Sequence, residues 1–111
     1  MIKHNLTIIQ GETFIKDVSF KIDKEYYSLV GYTAKSQIRP YIGSKELTDE
    51  FTCTIDSLKG IVHMQLSSAQ TSEIPSGIYY YDLLLTKDGI NTYYMGGKVF
   101  VEKHVTEPNN E

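Results

Sequence analysis

Residue types that commonly act as metal ligands, bases or nucleophiles are few in this chain of 111 residues, which has three histidines and one cysteine. His4, His63 and His104 are far apart, and no spacing places two of them on one strand face beside a cysteine or carboxylate. Cys53 alternates with apolar neighbours, a setting typical of a small buried hydrophobic residue. A nucleophile would also need a positioned base. Local spacing therefore predicts neither a metal centre nor a cysteine nucleophile, and only pairs that the fold brings together stay open.

Asp82 is the most unusual carboxylate, because it lies beside tyrosines and leucines in an otherwise apolar segment. An uncompensated buried carboxylate is costly. We therefore expect Asp82 to accept hydrogen bonds from loop amides or to pair with Lys or Arg. The alternative role, that of a general acid or base, lacks a second carboxylate at a recognisable spacing.

Two adjacent glycines, Gly96 and Gly97, follow Tyr93 and Tyr94. They indicate a bulge or a close backbone approach. A phosphate cradle would need a helix after the glycines, and a strand pattern follows instead. We therefore expect a protein that is not an enzyme and that holds no cofactor.

Residues 66–85 read as one helical turn, a sharp corner and a buried strand. Ser67 or Ser68 is expected to cap the turn, and Pro75 cannot continue it. Both faces of the following strand are largely apolar, which predicts a central position in a sheet. A buried phenol needs a hydrogen-bond partner, and Tyr79 is the best candidate to find it in the corner's own backbone, as in a tyrosine corner. The predicted structural corner consists of Ile74, Pro75, Gly77, Tyr79, Tyr81 and Asp82.

The remaining chain reads as short strands of alternating apolar and polar residues, separated by turns. These strands are predicted over residues 4–10, 13–22, 32–39, 51–56, 61–66 and 92–103. A one-residue slip in the alternation near Ile15 suggests a bulge. Seven or eight strands and no helix-period segment predict an all-β, antiparallel immunoglobulin-like β-sandwich, with one short helical turn before the Pro-x-Gly corner. The predicted domain covers residues 1–105, and residues 106–111 form a polar tail.

Composition limits the classes of function. The length suits one domain. A net charge of −3 argues against electrostatic binding to nucleic acid, which usually needs a basic surface. No apolar run approaches the ~20 residues that span a bilayer, and the first residues lack the apolar core of a secretion signal. The lone Cys53 fits a reducing compartment. These features predict no nucleic-acid and no membrane partner.

The tyrosines suggest surface contacts, because they occur in adjacent pairs or runs and at least one of each group must point away from the core. Exposed tyrosines are enriched at protein interfaces, and they also stack on sugars. The alternative is that single exposed tyrosines are ordinary in sheets. The candidate interface residues are Tyr26, Tyr27, Tyr80, Tyr93 and Tyr94.

Four motifs occur in order along most of residues 8–106. They are Gln10-Gly11-x-x-Phe14, Leu29-x-Gly31-Tyr32-x-Ala34-x-x-Gln37-Ile38-Arg39, Leu66-Ser67-x-x-x-Thr71-x-x-Ile74-Pro75-x-Gly77-x-Tyr79-x-Tyr81-Asp82-Leu83, and Gly97-x-Val99-x-Val101-x-x-x-Val105-Thr106. In this order they resemble a group of small tailed-phage and prophage proteins. The corner motif is the most specific of the four. The resemblance implies an immunoglobulin-like or baseplate-upper-protein-like sandwich that is built into virions, in the head, neck, tail or fibre.

The function expected from this resemblance is that of a non-enzymatic structural component of a bacteriophage particle. Such a protein is made in the host cytoplasm and contacts other virion proteins and copies of itself. The alternative is a carbohydrate-binding module that aids adhesion to a host surface. That alternative predicts two or three exposed tyrosines in one coplanar platform, beside polar residues such as Asn91, Gln37 or Asp88.

Overall fold

The fold is all-β, as the strand pattern predicts: strands account for 56% of the residues and helix for 6%. A computed structural model describes residues 1–22 and 25–107, without the side chains of residues 21, 22, 25 and 26. The described residues form ten strands and one helix. These are β1 (Ile2–Lys3), β2 (Leu6–Ile9), β3 (Phe14–Ser19), β4 (Lys21–Ile22), β5 (Glu25–Tyr26), β6 (Thr33–Arg39), β7 (Asp49–Asp56), β8 (Ile61–Leu66), α1 (Ser68–Glu73), β9 (Gly77–Lys87) and β10 (Ile90–Glu102).

Eight of these strands form one curled sheet in the order β1-β10-β9-β6-β7-β8-β3, with β2 also pairing with β10, while β4 and β5 form a small hairpin. The strand β9 is central, as its apolar faces predict. The pairings of β1 and β2 with β10 are parallel, so the prediction of a purely antiparallel arrangement is wrong at this edge. Side-chain alternation reports which face a residue occupies but not the direction of the neighbouring strand.

The curl of the sheet arises at β7. The first residues of this strand pair with β6, from Asp49 opposite Ile38 to Phe51 opposite Ser36. Its remaining residues, from Thr52 onwards, pair with β8 instead. One strand thus joins the part of the sheet containing β10, β9 and β6 to the part containing β8 and β3.

The core fills the inside of this curl, because both parts of the sheet direct the apolar members of their alternating pattern inwards. Strand β8 contributes Val62 and Met64, which are fully buried, and β9 contributes Leu83. Strand β6 contributes Ser36 and Ile38. The hydroxyl of Ser36 is satisfied, because it donates to the backbone oxygen of Asp82 at 2.5 Å.

The structure contradicts one of the two sheet irregularities that the sequence predicts, the bulge near Ile15, and agrees with the other, at the glycine pair. The bulge predicted near Ile15 is wrong, since β3 pairs with β8 in unbroken register and Ile15 points to solvent, 59% exposed. The register shift lies instead in β10, between Tyr93 and Met95. Gly97 marks a close backbone approach, because a Cβ atom there would lie 2.7 Å from the carbonyl oxygen of His4. The apolar-polar alternation of β3 is interrupted because Ile15, in this edge strand, is apolar but exposed.

The predicted helical turn is α1, and Ser67 is its N-cap. The Ser67 hydroxyl accepts a hydrogen bond from the Gln70 amide at 3.1 Å, and the Gln70 side chain accepts one from the Ser67 amide at 2.9 Å. This reciprocal pair is a capping box, formed by Ser67 and Gln70. The corner then has the hydrogen bond that the sequence predicts: the Tyr79 hydroxyl donates to the Pro75 carbonyl at 2.6 Å.

Candidate functional site

A groove of about 650 Å³ lies on the outer face of the sheet. Its floor comes from outward-facing residues of β6, β9 and β10, which follow from the same period-two pattern that builds the core. Tyr41 and Ile42, in the loop after β6, and residues of the N-terminal segment complete the lining. We call this surface the outer groove. It is lined by Met1, Lys3, Asn5, Lys35, Gln37, Arg39, Tyr41, Ile42, Gly43, Tyr80, Tyr81, Asp82, Leu84, Tyr93, Gly97 and Lys98.

Strand register arranges the floor of the outer groove in three rows that run across the strands. In the first row Tyr80 lies between Arg39 and Lys98. In the third row Leu84 lies between a lysine and Tyr93. The rows are Arg39–Tyr80–Lys98, Gln37–Asp82–Gly96 and Lys35–Leu84–Tyr93. The outer rows therefore each combine a large apolar or aromatic side chain with a cation.

The middle row contains a buried glycine, Gly96. A Cβ atom on Gly96 would lie 3.0 Å from Met1 Sδ and 3.2 Å from Asp82 Cβ. The absent side chain leaves room for Met1 to cover the strand and for Asp82 to lie beside it. The glycine pair that the sequence singled out thus shapes this side of the groove.

The charge of the outer groove is opposite to that of the chain as a whole. Among its described lining residues four side chains are cationic and one is a carboxylate: Lys3, Lys35, Arg39 and Lys98 against Asp82. The whole chain carries −3. Since the positive charges gather on this face, the remaining surface is more acidic than the net charge alone indicates.

Asp82 does not have the partner that the sequence predicts. Among the described residues its carboxylate has no hydrogen bond to a loop amide and no ion pair, and Arg39 donates instead to Gln37 Oε1 at 2.8 Å. Burial raises the pKa of Asp82, and the nearby positive charge of Arg39 opposes this rise in part. Asp82 lines the groove, so solvent reaches its carboxylate. The free-energy cost of leaving this carboxylate without a partner is therefore moderate.

We predict that Asp82→Asn raises the melting temperature at pH 7. The raised pKa means that the folded state disfavours the charged carboxylate, so ionised Asp82 lowers stability at pH values above its folded pKa. Below the unfolded pKa the carboxyl is protonated in both states, and the gain from Asn should vanish there. Thermal unfolding of both proteins at pH 7 and near pH 3 measures this. An equal gain at the two pH values would contradict the assigned cause.

The five candidate interface tyrosines do not form one surface. Tyr80 and Tyr93 line the outer groove. Tyr27 and Tyr94 line a separate cavity of about 330 Å³, where the ring of Tyr94 packs 4.3 Å from that of Phe20, centroid to centroid. The side chain of Tyr26 lies outside the described residues. Two of the five predicted residues are therefore brought together on the outer groove.

Tyr41 and Ile42 also line the groove but are not among the candidate residues predicted from the sequence. Their side chains are 62% and 81% exposed. The available signal was the pair of large apolar residues placed directly after Pro40, where the strand ends. Such residues in a loop have no core to enter and are candidates for contact with a partner.

The corner residues position the groove rather than line it, apart from Tyr81 and Asp82. Ile74 is buried, and the Tyr81 hydroxyl donates to the carbonyl oxygen of His4 at 2.6 Å. Burial raises the pKa of Tyr81 to about 12, so the phenol stays protonated and keeps this bond at neutral pH. The bond ties the N-terminal segment to β9, and with it the end of the groove that carries Lys3.

The side chains that could act as bases or nucleophiles elsewhere in the protein do not line the outer groove. His63 and Asp17 face each other across β8 and β3, with Nδ1 and Oδ1 2.6 Å apart, on a partly exposed surface. His104 contacts Glu107 at 2.8 Å. Burial raises the pKa of the Cys53 thiol to about 11, which keeps it protonated and weakly nucleophilic at neutral pH.

The described part of the chain has no group of three or more His, Cys, Asp or Glu residues able to hold a metal ion. Within residues 1–22 and 25–107, no helix combines the length and apolar character needed to cross a membrane. In comparisons with known proteins, no family model matches the chain, and no curated protein matches it significantly.

Proposed function

We propose that the protein is a non-enzymatic contact module and that the outer groove is its contact surface. The composition of the groove carries this proposal. An outer sheet face normally holds polar residues, whereas this one carries Tyr80, Tyr93 and Arg39. The exposed Tyr41 and Ile42 of the following loop adjoin them. Tyrosine and arginine are the residues enriched at protein interfaces and among the contacts that dominate binding energy.

We also propose that the curled sheet is a variant of the immunoglobulin-like sandwich. Three features support this: β7 passes from one part of the sheet to the other, α1 precedes the corner, and Tyr79 bonds back to the corner backbone. A tyrosine bonded to backbone a few residues upstream, at the start of a central strand, is typical of that fold. Such sandwiches present outer sheet faces and edges to partners without needing a catalytic cleft.

We place the module in a phage particle on the strength of the motif order in the sequence. The particles themselves provide the test. Mass spectrometry of particles purified from a culture of the source bacterium or phage should detect this protein in fixed proportion to the major virion proteins. Its absence from intact particles, despite its presence in the lysate, would overturn the proposal.

A carbohydrate-binding function remains the second candidate, since Tyr80 and Tyr93 line one groove together with Gln37. Of the other two polar residues expected beside a sugar platform, neither Asn91 nor Asp88 lines it, and Asn91 accepts a hydrogen bond from Thr86 instead. The exposed aliphatic side chain of Ile42 favours a protein over a sugar as the partner. A glycan array probed with the protein would show specific hits if this second function holds, and a blank array would remove it.

A further inference from the structure

We infer that the outer groove binds the acidic end of a second copy of this chain, so that copies associate head to tail. This inference rests on the proposed contact function and names the partner of that same surface. It follows from three observations: the groove is cationic, one end of the molecule is acidic, and the two surfaces lie on different parts of the protein.

The groove favours an acidic partner because its four cationic side chains outnumber its one carboxylate and lie beside its large apolar and aromatic side chains. Arg39 and Lys98 lie on either side of Tyr80, and Lys35 lies beside Leu84. Lys35 and Lys98 are exposed, so a docked carboxylate could approach either from solvent. Charges at the rim of an apolar contact select the partner and speed its association.

The acidic end is formed where several segments meet around α1. The Thr71 hydroxyl accepts from the Gly11 amide at 3.0 Å and donates to the Glu12 carbonyl at 2.9 Å. The Gln10 amide donates to the Glu102 carbonyl at 2.9 Å, and Gln70 bonds the carboxylate of Asp49 at 3.1 Å. These contacts gather Glu12, Asp49, Glu73 and Glu102 at one end of the protein. Lys45 and Lys103 lie close to these residues in the sequence, but the two positive charges do not cancel the negative ones.

Neither surface is expected to pair with its own copy, because the net charge of the groove is positive and that of the acidic end is negative. Their contact is therefore heterologous, with the groove of one copy on the acidic end of the next. Heterologous contacts produce closed rings when the rotation between copies closes and open filaments when it does not. Either outcome suits a protein that repeats along or around a larger particle.

Charge reversal on each surface tests this pairing in solution. The groove variant is Lys35→Glu with Lys98→Glu, and the end variant is Glu12→Lys with Glu73→Lys and Glu102→Lys. All five residues are exposed, so the variants should fold, which circular dichroism checks. The control is Lys16→Glu with Lys59→Glu, which makes the same change in net charge as the groove variant on strand β3 and the turn after β7.

Sedimentation velocity gives the association state of each protein and of the mixture. The wild type should associate at about 50 mM salt and at least tenfold more weakly at about 500 mM. Each charge-reversed variant alone should be monomeric, because its two surfaces then carry the same sign, and the control should associate like the wild type. An equimolar mixture of the groove and end variants should associate again, since opposite charges meet once more.

Three results would overturn the inference: a wild type that stays monomeric at low salt, a groove variant that associates as well as the wild type, or a mixture that stays monomeric. None of them bears on whether the protein is present in particles, so failure of this inference is distinguishable from failure of the proposed function. A monomeric wild type that is nevertheless found in particles would assign the groove to an acidic surface of another virion protein.

Discussion

Replacement of Gly60 by alanine is expected to lower the free energy of unfolding by about 3 kcal/mol, because the residue is constrained in two ways. Its φ of +64° lies in the left-handed region, where a side chain costs roughly 1–2 kcal/mol. A Cβ atom there would also press directly against the carbonyl oxygen of Tyr27 and lie 3.0 Å from that of Phe20. Phe20 donates its amide to the Gly60 carbonyl at 2.7 Å, so the whole contact would have to open. Urea denaturation followed by circular dichroism measures the change.

Gly89→Ala is the matched control for this substitution. Gly89 also has a left-handed φ, of +76°, but no heavy atom lies within 4 Å of the position of its Cβ. Its replacement should cost only the conformational term, about 1 kcal/mol. If both substitutions cost the same, the segment containing Phe20 and Tyr27 does not pack on the turn at Gly60.

Thr71→Val is expected to cost about 2–3 kcal/mol, although it preserves the shape of the side chain. Thr71 is fully buried, and its hydroxyl joins α1 to the turn between β2 and β3 through Gly11 and Glu12. Valine would leave the Gly11 amide and the Glu12 carbonyl without this partner. The unfolding free energy should fall, and hydrogen exchange at the Gly11 amide should become faster.

Thr71→Ser separates the hydroxyl from the methyl group. Serine keeps both hydrogen bonds and loses one buried methyl, which costs about 1 kcal/mol. The serine protein should therefore be more stable than the valine protein. The reverse order would mean that packing, rather than the hydroxyl, holds α1 in place. Loss of this contact would also disturb the acidic end, since Glu12 and α1 both belong to it.

Much of the fold could be predicted from side-chain periodicity. Alternation over residues 61–66 places Val62 and Met64 on one face of β8, and both are fully buried, as is Leu83 in the strand predicted to be central. The corner could be predicted because its signals are local: a capping serine, Pro75 and a following tyrosine interact within a few residues of one another. Local signals of this kind depend little on the rest of the fold.

The features that the sequence did not predict depend on contacts between distant segments. The parallel pairing of β2 with β10 joins residues more than ninety positions apart, and no turn between them fixes their direction. The change of partners within β7 leaves its alternation unbroken, so the pattern could not reveal it. The partner expected for Asp82 is absent among the described residues because Arg39, which is close enough to affect its pKa, is engaged by Gln37.

The outer groove was predicted only in part for the same reason. Tyr80 and Tyr93 were identified singly as candidates for surface contact, but cross-strand register decides which cations flank them. Arg39 and Lys98 are nearly sixty residues apart in sequence and become neighbours of one tyrosine only in the sheet. A net charge of −3 concealed the positive face, because net charge carries no information about position.

Hydroxyl-radical footprinting of Tyr93 tests most directly whether the outer groove is a contact surface. Tyr93 is 54% exposed in the isolated protein and should be oxidised readily there. In purified particles its oxidation should fall strongly, together with that of Tyr41, while Leu58, which lies outside the groove and is 79% exposed, serves as the reference. Equal oxidation of Tyr93 in free protein and in particles that contain it would show that the groove stays open to solvent, and would contradict the proposed contact.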